Sequence, residues 1–270
     1  MALQRWSRRA NLAKGVNEAV REVCLCLPEA EEVVSHGSPN FRVRGKTFAS
    51  YVVNHHGDGR VALWLNSPSG SQDHYVKSEP RHFFVPPYVG PGGWLGVHLN
   101  KGLAWDRVVA LVRQAYQKVA PPALARSMGE PVKIKSPPAA LAPDEIDPLK
   151  SRKAQAVLKK LRQMYLSWPE VSEDVQFGSP VWRAGKKTFA WIHADRPSSR
   201  LQLYFWVGVA AQSLMTTDER FEIPAYMGHN GWIALDVTDH CDWKEIRGLA
   251  LGSYRHFALQ RMQKALDASI

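Results

Sequence analysis

His36-Gly37-Ser38-Pro39-Asn40-Phe41-Arg42-Val43-Arg44-Gly45-Lys46-Thr47-Phe48-Ala49 has an echo further along the chain. His36-Gly37-Ser38-Pro39 returns as Phe177-Gly178-Ser179-Pro180, Arg42 as Arg183, and Lys46-Thr47-Phe48-Ala49 as Lys187-Thr188-Phe189-Ala190, each 141 residues later. Upstream, Leu27-Pro28-Glu29 returns as Trp168-Pro169-Glu170 at the same spacing. Downstream, Pro86-Pro87-Tyr88-Val89-Gly90 returns as Pro224-Ala225-Tyr226-Met227-Gly228, and Trp94, Trp105 and Tyr116 return as Trp232, Trp243 and Tyr254, now 138 residues later. Matches in one order with a single change of offset identify an internal tandem duplication, with three residues lost between the two blocks.

Each copy reads alike. Leu12, Val16, Ala19 and Val23 recur at helical spacing, as do Ala154, Val157, Leu158, Leu161 and Tyr165. A turn at Gly-Ser-Pro leads into a strand. Gly45-Lys46, or Gly185-Lys186, marks a tight hairpin turn into a second strand. Val61, Leu63 and Leu65 alternate with Ala62 and Trp64 in a third strand, as Leu201, Leu203 and Phe205 alternate with Gln202, Tyr204 and Trp206. A short helix near 72–77 or 210–215, a strand at 94–99 or 232–237 and a closing amphipathic helix complete the copy. The expected class is α+β: two tandem copies of a small antiparallel sheet with helices packed on one side.

The expected boundaries are 1–122 for the first domain with its basic arm, 123–147 for a linker and 148–270 for the second domain. Seven prolines in residues 121–150 argue against helix and sheet there and for a semi-rigid spacer. The net charge of +10 is uneven: +3 over residues 1–22, +3 over 23–122, +5 over 123–165 and −1 over 166–270. A positive arm, first copy and linker point to a polyanion partner. A uniform clamp would charge both copies equally.

No apolar run approaches the roughly 20 residues that span a bilayer. The N-terminus lacks the apolar core of a secretory signal. Its arginines and lack of acids leave a transit peptide open, and a cytoplasmic protein with a basic arm is the simpler reading. Cys24, Cys26 and Cys241 form no zinc-ligand pattern and read as reduced thiols. His55-His56 has no partner at ligand spacing. His240 and Cys241, between Asp239 and Asp242, are adjacent residues that rarely converge on one metal. No nucleophile elbow, metalloprotease helix or dinucleotide fingerprint is present. The expectation is no enzyme, no cofactor and no metal.

The string Leu27, Pro28, Ala30, Glu32, His36, Gly37, Pro39, Phe41, Arg42, Val43, Gly45, Lys46, Phe48, Ala49 resembles the MmcQ/YjbR family. So does the later run from Pro86 to Gly90 with Gly93 and Trp94. Copy two is similar through Pro180, Trp182, Arg183, Lys187, Phe189, Ala190, Pro224, Tyr226, Gly228, Gly231 and Trp232. The resemblance implies an α+β double-wing fold, usually present once per chain, and a DNA-binding label that rests on structural analogy. Two departures stand out: the duplication itself, and Phe177 where copy one has His36.

Arg42 and Arg44, two apart on a strand with Lys46 at the turn, would form a stripe for phosphates; a solvated sheet edge is the other reading. Arg183, Lys186 and Lys187 keep part of it in copy two, where Ala184 is read in the place of Arg44. The Pro-Tyr-x-Gly-x-x-Gly-Trp loops offer Tyr88, Trp94, Tyr226 and Trp232 as stacking surfaces, against a structural loop held by core aromatics. Trp64 and Tyr204 point away from the Leu63 and Leu203 faces and need a cover of their own. The leading expectation is a non-enzymatic nucleic-acid-binding or regulatory protein, with DNA as partner. The alternative is a small-molecule binding protein with an aromatic pocket between the repeats, built from His36, Trp64, Tyr88, Trp94, Tyr204, Tyr226 and Trp232, for a planar aromatic compound. A protein–protein adaptor is the third.

Overall fold

The computed structural model describes residues 15–35, 37–134, 138–195 and 200–268. The basic arm to residue 14, His36 and Lys135 lie outside them. The chain forms two compact units, residues up to 54 with 59–142, and residues 55–58 with 143–270.

The first unit runs α1 (Val16–Leu25), β1 (Ala30–Ser35), β2 (Ser38–Val43), β3 (Lys46–Val53), β4 (Val61–Leu65), α2 (Ser71–Ser78), β5 (Phe83–Phe84), β6 (Leu95–His98), α3 (Trp105–Val119) and α4 (Pro122–Arg126). The second runs α5 (Pro143–Ile146), α6 (Arg152–Tyr165), β7 (Val171–Gln176), β8 (Ser179–Ala184), β9 (Lys187–Ala194), β10 (Leu201–Trp206), α7 (Val209–Met215), β11 (Phe221–Glu222), β12 (Trp232–Asp236), α8 (Trp243–Phe257) and α9 (Gln260–Asp267). Each unit holds one six-stranded antiparallel sheet, ordered β1-β2-β3-β4-β6-β5 and, in the same sense, β7-β8-β9-β10-β12-β11. The two copies are the same α+β unit, as the repeat predicts.

The inner face of each sheet is covered by the first and the closing helix of its copy. Val108, Leu111, Val112 and Ala115 form the buried stripe of α3, the 3.6-residue pattern of a helix lying on a core. Phe48 meets Tyr116 edge-on at 5.4 Å, and Phe189 meets Tyr254 in the same way at 5.4 Å. The cores are filled differently. Cys24, Leu27 and Phe41 in copy one are matched by Tyr165, Trp168 and Trp182 in copy two, all six buried.

The structure adds to and corrects the sequence reading. Edge strands β1 and β7 were not foreseen, because two acidic residues sit in each and neither alternates cleanly in burial. The two-residue strands β5 and β11 and the C-terminal helix α9 were also unforeseen. In copy one the hairpin turn is Arg44-Gly45, not Gly45-Lys46: Val43 pairs with Lys46 across it, and φ is +50° at Arg44 and +75° at Gly45. Two positive φ values give the type I′ pattern, whose twist suits a two-residue hairpin. In copy two the turn is Gly185-Lys186 as expected, and only Gly185 is positive at +59°, the type II′ pattern with glycine first. Val43 is thus equivalent to Ala184, and the counterpart of Arg44 is Gly185. Arg44 lies in the turn and Arg42 beside a β-bulge, so the two do not share a strand face.

The proline-rich segment does contain helix. Pro122 and Pro143 open α4 and α5, the first-turn position where a missing N–H costs nothing. Ala139 forms a parallel bridge with Gly15 at the start of α1.

Candidate functional site

Strand direction brings three connections of copy one to the same end of its sheet. Val43 pairs with Lys46, Ala49 with Leu65, and Leu65 with Leu95. The Arg44-Gly45 hairpin tip, the loop after β4 and the Pro-Tyr-Gly loop before β6 therefore share that end. In copy two Ala184 pairs with Lys187, Phe205 with Ala190 and Phe205 with Ile233, giving the same assembly.

The Pro-Tyr-Gly loop is built identically twice. The Val89 N–H donates to Pro87 O at 2.7 Å, and the Met227 N–H to Ala225 O at 2.9 Å. Between them Tyr88 has φ +64° and Tyr226 φ +67°. A bond from residue i to i+2 around a positive φ is the rare, strained hand of the γ-turn, and it is worth about 1–3 kcal/mol of local strain when a non-glycine residue is held there. The strain is held by a glutamine. Gln72 Nε2 on α2 donates to Gly90 O at 2.8 Å and Trp94 O at 2.5 Å; Gln212 Nε2 on α7 donates to Gly228 O and Trp232 O, both at 2.7 Å. The loop leaves its tyrosines in solvent: Tyr88 is 74% exposed and Tyr226 83%. These glutamines were not singled out in the sequence, although each stands on the short helix of its copy.

The basic residues divide into paired and unpaired. Arg44 meets Glu29 at 2.6 Å. Arg183 meets Asp174 at 3.1 Å. Arg42 Nε donates to Thr47 Oγ1 at 3.1 Å. Lys46, Lys186 and Lys187 are exposed at the hairpin tips. Glu170, the counterpart of Glu29, is held by Arg261 from α9 at 2.6 Å, and that guanidinium keeps its carboxyl below the usual range.

The aromatic candidates separate. Trp64 is buried with Val52, Ala62 and Phe84 on the outer face of the first sheet, and Trp94 packs against that cluster. Phe84 lies over Gly96, where any Cβ would fall 2.6 Å from its ring. In copy two the outer face mixes aromatic and polar side chains. Tyr204 lies near Trp191 at 5.8 Å and His193 at 6.4 Å, and donates to Gln202 Oε1. Burial pushes its hydroxyl up to about 12. Trp232 stacks on Phe257 of α8 at 5.9 Å. Arg60 and Arg200, at equivalent positions, record the divergence: Arg60 sits over the Phe84 ring at 4.3 Å, whereas Arg200 pairs with Glu222 at 2.5 Å and Asp236 at 2.7 Å.

The Asp239–Asp242 segment has structural duties. Asp242 caps α8 through the N–H groups of Lys244 and Glu245, Asp239 pairs with Lys153 at 3.6 Å, and Cys241 donates to Val237 O. Among the described residues no group of three or more His, Cys, Asp or Glu side chains could hold a metal ion, and no helix is long and apolar enough to cross a membrane.

The YjbR family model matches residues 25–118 and 166–256, one match per copy. No curated protein matches the chain. Among solved structures, the crystal structure of Deinococcus radiodurans protein DR2400, a DUF419 domain, is similar at 18% identity and a TM-score of 0.36, over 47% of this chain and 96% of that one. Two family matches in the order and spacing of the repeat, over more than half of its length, mean that this chain belongs to the YjbR family and carries the family's domain twice.

Proposed function

We propose that the protein is a non-enzymatic, cytoplasmic nucleic-acid-binding protein that engages a strand at the hairpin-and-loop end of each sheet. The observation that carries the proposal is the twice-built γ-turn: a strained, exposed tyrosine at the same sheet end as exposed lysines that have no ion-pair partner among the described residues. Strain maintained by a dedicated latch in both copies, while charge and core have diverged, is the mark of a presented group rather than of packing. Tyr88 and Tyr226 supply faces for bases, and Lys46, Lys186 and Lys187 supply charge for phosphates. Arg44 and Arg183 are neutralised by their carboxylates and contribute less. Among the described residues the groups with shifted pKa values are scattered over ion pairs, a helix cap and buried or half-buried positions, which favours binding over catalysis.

The test is fluorescence anisotropy with single-stranded and duplex oligonucleotides over a salt series. Tyr88→Ala and Tyr226→Ala each weaken single-strand binding by about 1–3 kcal/mol. Lys46→Gln lowers the salt slope by about one and Arg44→Ala barely changes it. Absence of binding at low salt, or a double tyrosine variant that binds as the parent does, would overturn the reading.

A further inference from the structure

Asn66 and Lys118 in copy one are equivalent to Trp206 and His256 in copy two, and each pair is in contact. Lys118 Nζ donates to Asn66 Oδ1 and to Ser67 O, both at 2.7 Å. Both acceptors are neutral, and among the described residues Lys118 has no carboxylate partner. An ammonium carries three protons; two are committed and one remains. Lys118 borders a cleft of about 230 Å³ with Ser67, Ser69, Gln72, Asp73 and Gly93. Asp73 likewise has no ion-pair partner among the described residues. One fixed cation and one carboxylate thus face the same space without neutralising each other.

Copy two fills the corresponding place. The His256 ring lies on the Trp206 indole with centroids 3.4 Å apart and planes 10° from parallel. Trp206 Nε1 donates to Asn230 O at 3.0 Å, and its six-membered ring passes within 3.5 Å of where a Cβ on Gly208 would stand. Gly231, the counterpart of Gly93, would have its Cβ 3.0 Å from Trp206 Nε1. The indole therefore occupies in copy two the ground that the cleft occupies in copy one.

We infer that the copy-one cleft binds a small sugar phosphate, and that Trp206 has closed the equivalent site in copy two. Lys118 contacts the phosphate, since the free proton of a pre-positioned ammonium is matched by an anionic oxygen. Asp73 accepts from a sugar hydroxyl, which gives the carboxylate a partner that a bare anion cannot. The cleft is smaller than the roughly 300–1,000 Å³ of drug-sized sites, which suits one sugar phosphate without an attached base. The cleft adjoins the tyrosine loop and shares Gln72 with it, but Lys118 and Asp73 are not among the residues proposed to hold a strand.

Ribose 5-phosphate, inorganic phosphate and ribose are titrated into the full-length protein by calorimetry, with amide chemical shifts followed by NMR. The expected result is one ribose 5-phosphate per chain, with shifts concentrated at Gly70, Gly92 and Gly93. Inorganic phosphate binds more weakly and ribose does not bind. Lys118→Met weakens binding by about tenfold or more. Asp73→Asn removes the preference for the sugar phosphate over phosphate. Asn66→Trp, which transplants the plug, abolishes ribose 5-phosphate binding. No binding at millimolar ligand, two equal sites, shifts centred elsewhere, or a folded Asn66→Trp protein that binds as the parent does overturns the inference. The wild-type shifts decide the location even where a variant fails to fold.

Discussion

Tyr116 Oη donates a 2.7 Å hydrogen bond to the carbonyl of Pro28, across 88 residues of chain. Tyr254 repeats it to Pro169 at 2.8 Å. The closing helix of each copy is thereby fastened to the turn that leaves the first helix. Both rings are buried, and burial raises both hydroxyl pKa values, so the bond is made by neutral phenols at ordinary pH.

Tyr116→Phe and Tyr254→Phe keep the ring packing and remove only this bond. Each is expected to cost about 1 kcal/mol, the net worth of one intramolecular hydrogen bond. Truncation to alanine also deletes the ring from the core and costs about 3–5 kcal/mol, as for other large aromatics. Denaturant unfolding of the single variants checks both figures. A phenylalanine variant as damaging as alanine would mean that the hydroxyl holds more than this one carbonyl.

Gln212 is buried and donates to two carbonyls at once. Gln212→Ala leaves both acceptors without that donor, at about 1–3 kcal/mol for each group that water does not reach. It also releases the γ-turn at Tyr226. The expected outcome is a less stable second unit and faster amide exchange at Met227 and Gly231, with the first unit unchanged. Gln72→Ala does the same at Val89 and Gly93. Amide exchange by NMR reads each loop separately.

Acid should weaken the second unit before its carboxylates titrate. Burial lowers the His193 pKa from its ordinary 6.5, against a smaller opposing effect of Asp195. A base with a lower pKa folded than unfolded favours the fold fully above the unfolded value. That contribution falls as pH drops through 6.5 toward the folded value. His55 shifts in the same direction, so the histidine effect is isolated by substitution. His193→Gln should flatten the stability profile between about pH 7 and 5. Glu79, Glu170 and Asp218, whose pKa values are lowered by arginine partners, act only at lower pH. Guanidinium midpoints over that range give the comparison.

The duplication, the α+β class, the order of most elements and the inner faces of the helices and of β4 and β10 were legible in the residues. Repeats and periodicity are local, and they record which face of an element avoids water. The edge strands escaped because half-exposed, acidic strands carry no clean alternation. The turn in copy one was misplaced by one residue because Arg44 takes a positive φ beside the glycine that advertised it. Only the tertiary structure decided partners. Glu29 neutralises Arg44, Gln72 holds the Tyr88 loop, and among the described residues Lys118 meets only neutral acceptors, while Trp206 stacks on His256 in the matching place. Each of these depends on which side chain arrives from an element tens of residues away. The alternation of a strand or helix fixes the direction a residue faces, whereas its charge state and availability are set by whatever the fold brings to meet it.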